Sequence, residues 1–272
     1  MSHGPRLLLA SGLDAIKRAG LFRRVRALAL DLLYPPVCLS CRRAIAADGG
    51  LCAACWRAVR FIERPYCERL GTPFEASLGA DESGRTVSLE ARADPPVFSR
   101  LRAVACFEEG PARTLVHRLK YGDRHEIAAP MGRWMARAGA ELLDDADLLI
   151  PVPLHPRRLA QRRFNQSAAL AREIARHCGA PVETGLLSRV KPTPPQVGLN
   201  RRLRALNMQG AFAADPRRKG ELAGRRLVLV DDVATSGATL NAAARVLLRA
   251  GAERVDALVF ARVVTETRNE SI

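Results

Sequence analysis

The sequence predicts an α/β fold, a mostly parallel sheet flanked by helices, with a small cysteine-rich module ahead of it. Three observations carry this. From about residue 98 to 265, short apolar runs alternate with helical periodicity, as in strand–helix–strand units with right-handed crossovers. One run, Leu227 to Val230, is apolar at every position, as a strand covered on both faces must be. Two CxxC pairs stand upstream of that domain.

The chain has 272 residues, 48% of them apolar, enough for one sizeable core and a small module. That composition excludes a disordered chain. A formal charge of +15 points to an anionic partner, nucleic acid or polyphosphate. General arginine richness along the chain accounts for it equally well. No apolar run approaches the roughly 20 residues that span a bilayer, so no membrane span and a cytoplasmic location are expected. Seven cysteines, four of them in paired spacing, speak for metal binding over disulfides.

Residues 1–33 read as a basic arm of two amphipathic helices separated by Gly20. Leu9, Leu13 and Ile16 form one stripe, and Phe22, Val25, Leu28 and Leu32 the other, opposite Lys17, Arg18, Arg23, Arg24 and Arg26. Such a face meets nucleic acid or a membrane surface, or stays solvated while the stripes pack on the protein. The lack of interleaved aromatics favours packing. In the module 34–73, Cys38-Leu-Ser-Cys41 and Cys52-Ala-Ala-Cys55 offer four thiolates, the complement of a closed tetrahedral zinc site. Asp48-Gly49-Gly50 turns the chain between them. Four sulfur ligands leave no open position, so the zinc is expected to be structural. Residues 74–97 read as a linker, and 266–272 as a tail.

Within 98–265, Leu101–Phe107 is a predicted strand. A helix spans Gly110–Leu119 and ends in Lys120-Tyr121-Gly122, and another runs from Ile127 to Leu143, softened at Pro130. After the strand Leu148–Val152, His155, Arg157, Arg158, Arg162 and Arg163 crowd one loop. Open α/β sheets bind ligands outside the carboxyl ends of their strands, and guanidinium forks match phosphate oxygens. A helix from Asn165 to His177 takes Asn165 as its N-cap. Leu186–Val190 and Ala211–Ala214 are short strands. Between them the Pro-rich segment Lys191–Asn200, leading into Arg201, has the character of an active-site lid. Val255–Ala261 closes the sheet. Cys106 and Cys178 are expected to pack as small apolar residues.

The strand Leu227–Val230 feeds Asp231-Asp232-Val-Ala-Thr-Ser-Gly-Ala-Thr239, and then a helix with Leu240, Ala243, Ala244, Leu247 and Leu248 on one face. Unpaired N–H groups at a helix start suit a phosphate. Ala234, Gly237 and Ala238 let backbone approach a ligand, and Thr235, Ser236 and Thr239 add hydroxyls. Two neighbouring carboxylates can accept from vicinal hydroxyls. A phosphorylated ribose satisfies both halves.

This stretch resembles the phosphoribosyl-pyrophosphate (PRPP) motif of type I phosphoribosyltransferases. The resemblance implies that fold over 98–265. It puts Asp231 and Asp232 on the ribose as catalytic groups, with Val233, Ala234, Thr235, Ser236, Gly237, Ala238 and Thr239 completing the PRPP-binding loop. It assigns His155, Arg157, Arg158, Arg162 and Arg163 to the pyrophosphate, with Lys191 or Arg201 in the flexible catalytic loop. It also implies magnesium bound with PRPP. From end to end the chain is similar to the ComF family of competence proteins. The CxxC pairs, the ribose motif and a Pro-Gln-x-x-Leu…Arg…Asn…Gly-Ala-Phe pattern carry that likeness. The family often has a second zinc ribbon starting Pro-x-Cys-x-x-Cys-Gly. Here Pro65-Tyr-Cys67-Glu-Arg-Leu70-Gly71 has Leu70 in the second cysteine position. So that ribbon is expected to be degenerate and Cys67 a leftover thiol. Two functions follow from the resemblance. One is a PRPP-dependent phosphoribosyltransferase with an unidentified acceptor. The other is a non-catalytic protein of natural competence and DNA uptake, which handles single-stranded DNA with competence helicase-type partners and uses the fold to bind PRPP or nucleotide phosphates.

Overall fold

The computed structural model describes residues 35–74, 86–121, 125–192 and 201–264. The predicted arm 1–33, all but the first two residues of the Pro-rich segment (193–200) and the tail 266–272 lie outside them. The chain divides into two compact units, residues 1–52 and 53–272, with the boundary inside the second CxxC pair.

The first described helices are short, α1 (Ala53–Arg57) and α2 (Leu89–Ala93). Helix α2 lies in the predicted linker. Ser88 caps it by accepting from the Ala91 N–H at 3.3 Å, and Ala91 packs with Cys67, Leu70 and Val87. Then follow β1 (Leu101–Cys106), α3 (Pro111–Tyr121), α4 (Ala128–Ala138), α5 (Ala140–Leu143) and β2 (Leu148–Pro151). The break expected at Pro130 falls instead at Gly139, between α4 and α5. Pro130 sits in the first turn of α4, where its missing N–H leaves no hydrogen bond unmade. A Cβ at Gly139 would come within 2.7 Å of Leu258, so glycine there lets the helix end press onto the sheet.

After β2 come α6 (Pro156–Arg162), α7 (Gln166–Cys178), β3 (Leu187–Arg189), α8 (Arg201–Met208) and β4 (Phe212–Ala214). The last elements are β5 (Arg226–Ala234), α9 (Ala238–Arg249) and β6 (Arg254–Arg262). The main sheet has order β1-β6-β5-β2 with every pair parallel. So β6 does not close the sheet at an edge; it lies between β1 and β5. Val255 through Arg262 are all buried, as in a strand covered on both faces. The outer edge of β1 is covered by residues 60–62, with Ile62 N donating to Val104 O at 2.9 Å. The edge of β2 is met by residues 181–183. Strands β3 and β4 form a separate antiparallel pair.

The core on one side of the sheet joins Leu227, Leu229, Ala257 and Val259 to Leu240, Ala243, Ala244 and Leu247 of α9. Each fully buried large aliphatic side chain there contributes about 1.5–3 kcal/mol. Asn165 caps α7 as predicted, accepting from Ser167 N at 3.0 Å. Gly179, at φ 75°, ends that helix in the left-handed region. Among the described residues no helix is long and apolar enough to cross a membrane.

Candidate functional site

Strand β5 runs four residues past its predicted end at Val230, so both carboxylates belong to the strand. Asp231 is 8% exposed and Asp232 3%. Adjacent strand residues project to opposite sides, and the two acids find different partners. Asp231 Oδ1 accepts from the Ser167 hydroxyl at 2.8 Å and from the Asp232 N–H at 2.9 Å. Asp232 Oδ2 faces Lys120 Nζ, at the end of α3, at 3.1 Å. That contact is an ion pair without regular hydrogen-bond geometry, and Oδ2 has no hydrogen-bond partner among the described residues. Burial first, and then the neighbouring Asp232 charge, push the Asp231 carboxyl up to about 7, against the pull of Ser167 and Lys120. An unpaired buried carboxylate costs several kcal/mol, so one lysine and one serine leave this pair short of partners.

The loop beyond it matches a phosphate in geometry. Gly237 precedes α9 with φ 77°, a left-handed conformation that other residues reach at a cost of about 1 kcal/mol. Gly237 offers no side-chain cap to the start of α9. Ser236 Oγ is buried and has no partner among the described residues. Thr235, Ser236 and Thr239 are half-buried, and Ala234, Gly237 and Ala238 are buried. A cavity of about 840 Å³ meets the loop at Ser236 and Ala238 and continues along Met208, Phe212 and Asn241. Its lining does not include the two aspartates.

The arginine-rich stretch is a short helix, not the expected loop. His155 is the N-cap of α6, its Nδ1 accepting from Arg157 N at 3.3 Å, and Pro156 starts the helix. Arg163 ends it in the left-handed region, at φ 63°. Arg162 lies over the Tyr121 ring, 5.1 Å from its centre. Arg157 and Arg163 are exposed, and Arg158 is half-buried. Lys191 is exposed, and Arg201 opens α8.

Three residues escaped the sequence reading. Lys120 and Ser167 hold the carboxylates, and Arg189 lies near enough to feel both Asp231 and Arg158. Burial first, then the Arg158 charge, push the Arg189 guanidinium below its ordinary value, and Asp231 opposes them. A signal existed for Arg189: it occupies an inward position, two residues from Leu187, of an alternating strand.

At the cysteine pairs, the sulfurs of Cys38, Cys41, Cys52 and Cys55 lie within 4.8 Å of one another. Cys41 and Cys52 are 3.6 Å apart. Zinc bonded to sulfur at about 2.3 Å needs tetrahedral S···S edges of about 3.8 Å, so this donor set fits one zinc. Burial raises the Cys38 thiol. The N–H groups of Cys52, Cys41 and Ser40 outweigh it and bring the thiol down to about 6, toward the thiolate a metal requires.

Known proteins agree with both parts. A double zinc ribbon domain model matches residues 29–86, and a phosphoribosyl transferase domain model matches residues 165–271. DNA utilization protein YhgH of Salmonella typhimurium is 35% identical over 240 residues, 86% of this chain and 100% of that protein. Competence protein F of Haemophilus influenzae is 29% identical, covering 83% of this chain and 96% of the relative. Competence protein ComFC of Bacillus subtilis is 27% identical, covering 82% and 83%. A phosphoribosyltransferase fold behind a cysteine ribbon, shared with these relatives over most of its length, makes this chain a member of the ComF family.

Proposed function

We propose that this chain is a PRPP-dependent phosphoribosyltransferase whose site runs from Asp231 to Thr239. One observation carries the proposal. Two adjacent buried carboxylates sit at the carboxyl end of a central parallel strand, directly before an uncapped helix start with a buried, unpartnered hydroxyl. The ribose hydroxyls donate to Asp231 and Asp232. The 5′-phosphate accepts from the first N–H groups of α9 and from Thr235, Ser236 and Thr239. As the bond from C1 to pyrophosphate breaks, positive charge grows on the ring, and the two carboxylates stabilise it. Arg157, Arg158, Arg162 and Arg163, with Lys191 and Arg201, take up the negative charge of the pyrophosphate. Magnesium arrives with PRPP and supplies further neutralisation of that leaving group. The cysteine knuckle holds a structural zinc.

Pyrophosphate release from PRPP, measured with nucleobases, ammonia and single-stranded DNA as acceptors, tests the transfer. Acceptor-dependent release that Asp231→Asn/Asp232→Asn abolishes supports it. PRPP binding without release under every condition removes the enzyme and keeps the site.

The +15 charge and relatives named for DNA utilization and competence favour a second reading. In it the chain holds single-stranded DNA and uses the pocket for PRPP as a signal or for a nucleotide end. DNA binding that weakens steeply with salt, without pyrophosphate release, selects this alternative.

A further inference from the structure

The described residues of the segment from Tyr66 to Ala93, 66–74 and 86–93, repeat hydrogen bonds of the segment from Val37 to Arg57. An antiparallel bridge joins Val37 to Ala44 in the first and Tyr66 to Pro73 in the second. Cys38 N donates to Arg43 O at 2.8 Å, and Cys67 N to Thr72 O at 2.8 Å. Arg42 N donates to Cys38 O at 3.0 Å, and Gly71 N to Cys67 O at 2.7 Å. Arg42 and Gly71 share a left-handed φ, 64° and 63°. Leu39 N reaches Gly50 O at 3.0 Å, and Glu68 N reaches Thr86 O at 2.9 Å. Finally, Cys52 N donates to Cys38 Sγ at 3.2 Å, and Ser88 N to Cys67 Sγ at 3.3 Å. A five-residue helix follows at once in each, α1 and α2.

These pairings give a residue-by-residue correspondence. Cys67 stands where Cys38 stands, Leu70 where Cys41 stands, Ser88 where Cys52 stands and Ala91 where Cys55 stands. Over the paired positions the cysteine is the one identity, so the hydrogen bonds carry most of the repeat.

The second donor set does not fit zinc. Leu70 and Ala91 have no donor atom. The Ser88 hydroxyl is committed twice, donating to Cys67 Sγ at 3.4 Å and accepting from Ala91 N. Cys67, Leu70, Val87 and Ala91, each at most 5% exposed, pack against one another at the centre. We infer that residues 66–93 are a metal-free second knuckle, in which an apolar cluster has replaced the ion while the ligand-binding backbone is kept. A family model that describes two zinc ribbons therefore overstates the metal content of this chain by one ion.

The replacement ties the knuckle to the sheet without metal. Leu101 N donates to Glu68 O at 3.1 Å. Arg262 donates through Nε to Leu70 O at 2.9 Å and through Nη1 to Ala234 O at 3.1 Å. Ala234 is the last residue of β5, where the ribose-phosphate loop begins. One guanidinium thus fastens the Leu70 turn to the base of that loop.

Metal analysis of the purified full chain tests this. One zinc per chain is expected in the native protein, one in Cys67→Ser and none in Cys38→Ser/Cys41→Ser. Leu70→Cys/Ser88→Cys/Ala91→Cys is expected to hold two, because the backbone for the second site is already in place. Two zinc ions in the native protein, or loss of zinc in Cys67→Ser, overturns the inference. So does a triple variant with native circular dichroism that still holds one. Should the triple variant not fold, the native and Cys67→Ser values decide by themselves.

Discussion

Four thiols converge at the Cys38 knuckle and two carboxylates at the end of β5, and each cluster needs positive charge beside it. The knuckle has N–H groups aimed at one sulfur, that of Cys38. The carboxylate pair carries its cation with it, Lys120 at 3.1 Å from Asp232, and a raised pKa lets Asp231 hold a proton when no ligand is bound. The difference predicts opposite dependences. The knuckle's order depends on an ion from outside, whereas the strand end is built before its ligand arrives. The second knuckle is the control, with matching hydrogen bonds and Leu70, Ser88 and Ala91 where three of the thiols would be.

The largest effect expected is from zinc removal. Structural zinc contributes on the order of 10 kcal/mol to folding of the module that binds it. Chelation should release the amides of Cys38, Leu39, Arg42 and Cys52 to fast hydrogen exchange, and leave those of Cys67, Glu68, Gly71 and Ser88 protected. Joint release of both sets would erase the distinction between the knuckles. Next in size is Asp231→Ala/Asp232→Ala. Loss of two charge-assisted hydrogen bonds, about 3 kcal/mol together, should weaken PRPP binding about 100-fold or more. Zinc content should not fall, because neither acid is among the four sulfur donors.

Lys120→Met should destabilise by about 2 kcal/mol in urea titrations. That is less than the about 3–5 kcal/mol of a fully buried pair, because the lysine is partly exposed. Asp232→Asn added to Lys120→Met should restore most of the loss, and strictly additive effects would mean that the pair is not coupled. Gly237→Ala should lower folding stability by about 1 kcal/mol through backbone strain alone, since its Cβ would meet nothing closer than Phe98 at 3.7 Å.

A pH dependence follows from the same carboxylate pair. The folded chain binds the Asp231 proton more tightly than the unfolded chain. This contribution therefore lowers stability as pH rises from 3.8 to about 7 and is constant above. Asp231→Asn should flatten that part of the profile. An unchanged slope would mean that Asp231 ionises normally.

What was legible in the sequence was local. The strand into Asp231, the loop to Thr239 and the α9 stripe are contiguous, and four cysteines in two pairs specify a site by spacing. What depended on distant pairing was not legible. The insertion of β6 between β1 and β5 is a choice of neighbours that apolar runs do not encode. Ser167 and Lys120 lie far from Asp231 and Asp232 in sequence and look like an ordinary first-turn serine and last-turn lysine. Pro156 is a helix-start signal for α6; the arginines that follow it are equally compatible with a phosphate-binding loop. The first turn of the second knuckle was legible at Cys67 and Leu70; its return at Thr86 to Ala91 was not, because only hydrogen bonds carry that part of the likeness.

The central claim is that β5 ends in a ready-made site for a phosphorylated ribose. Calorimetric titration of PRPP with magnesium into the zinc-loaded protein, and into Asp231→Asn/Asp232→Asn with the same zinc content, tests it most directly. Saturable binding to the native chain, lost in the variant, is the predicted result. Undiminished binding in the variant, or none to the folded native protein, would contradict it.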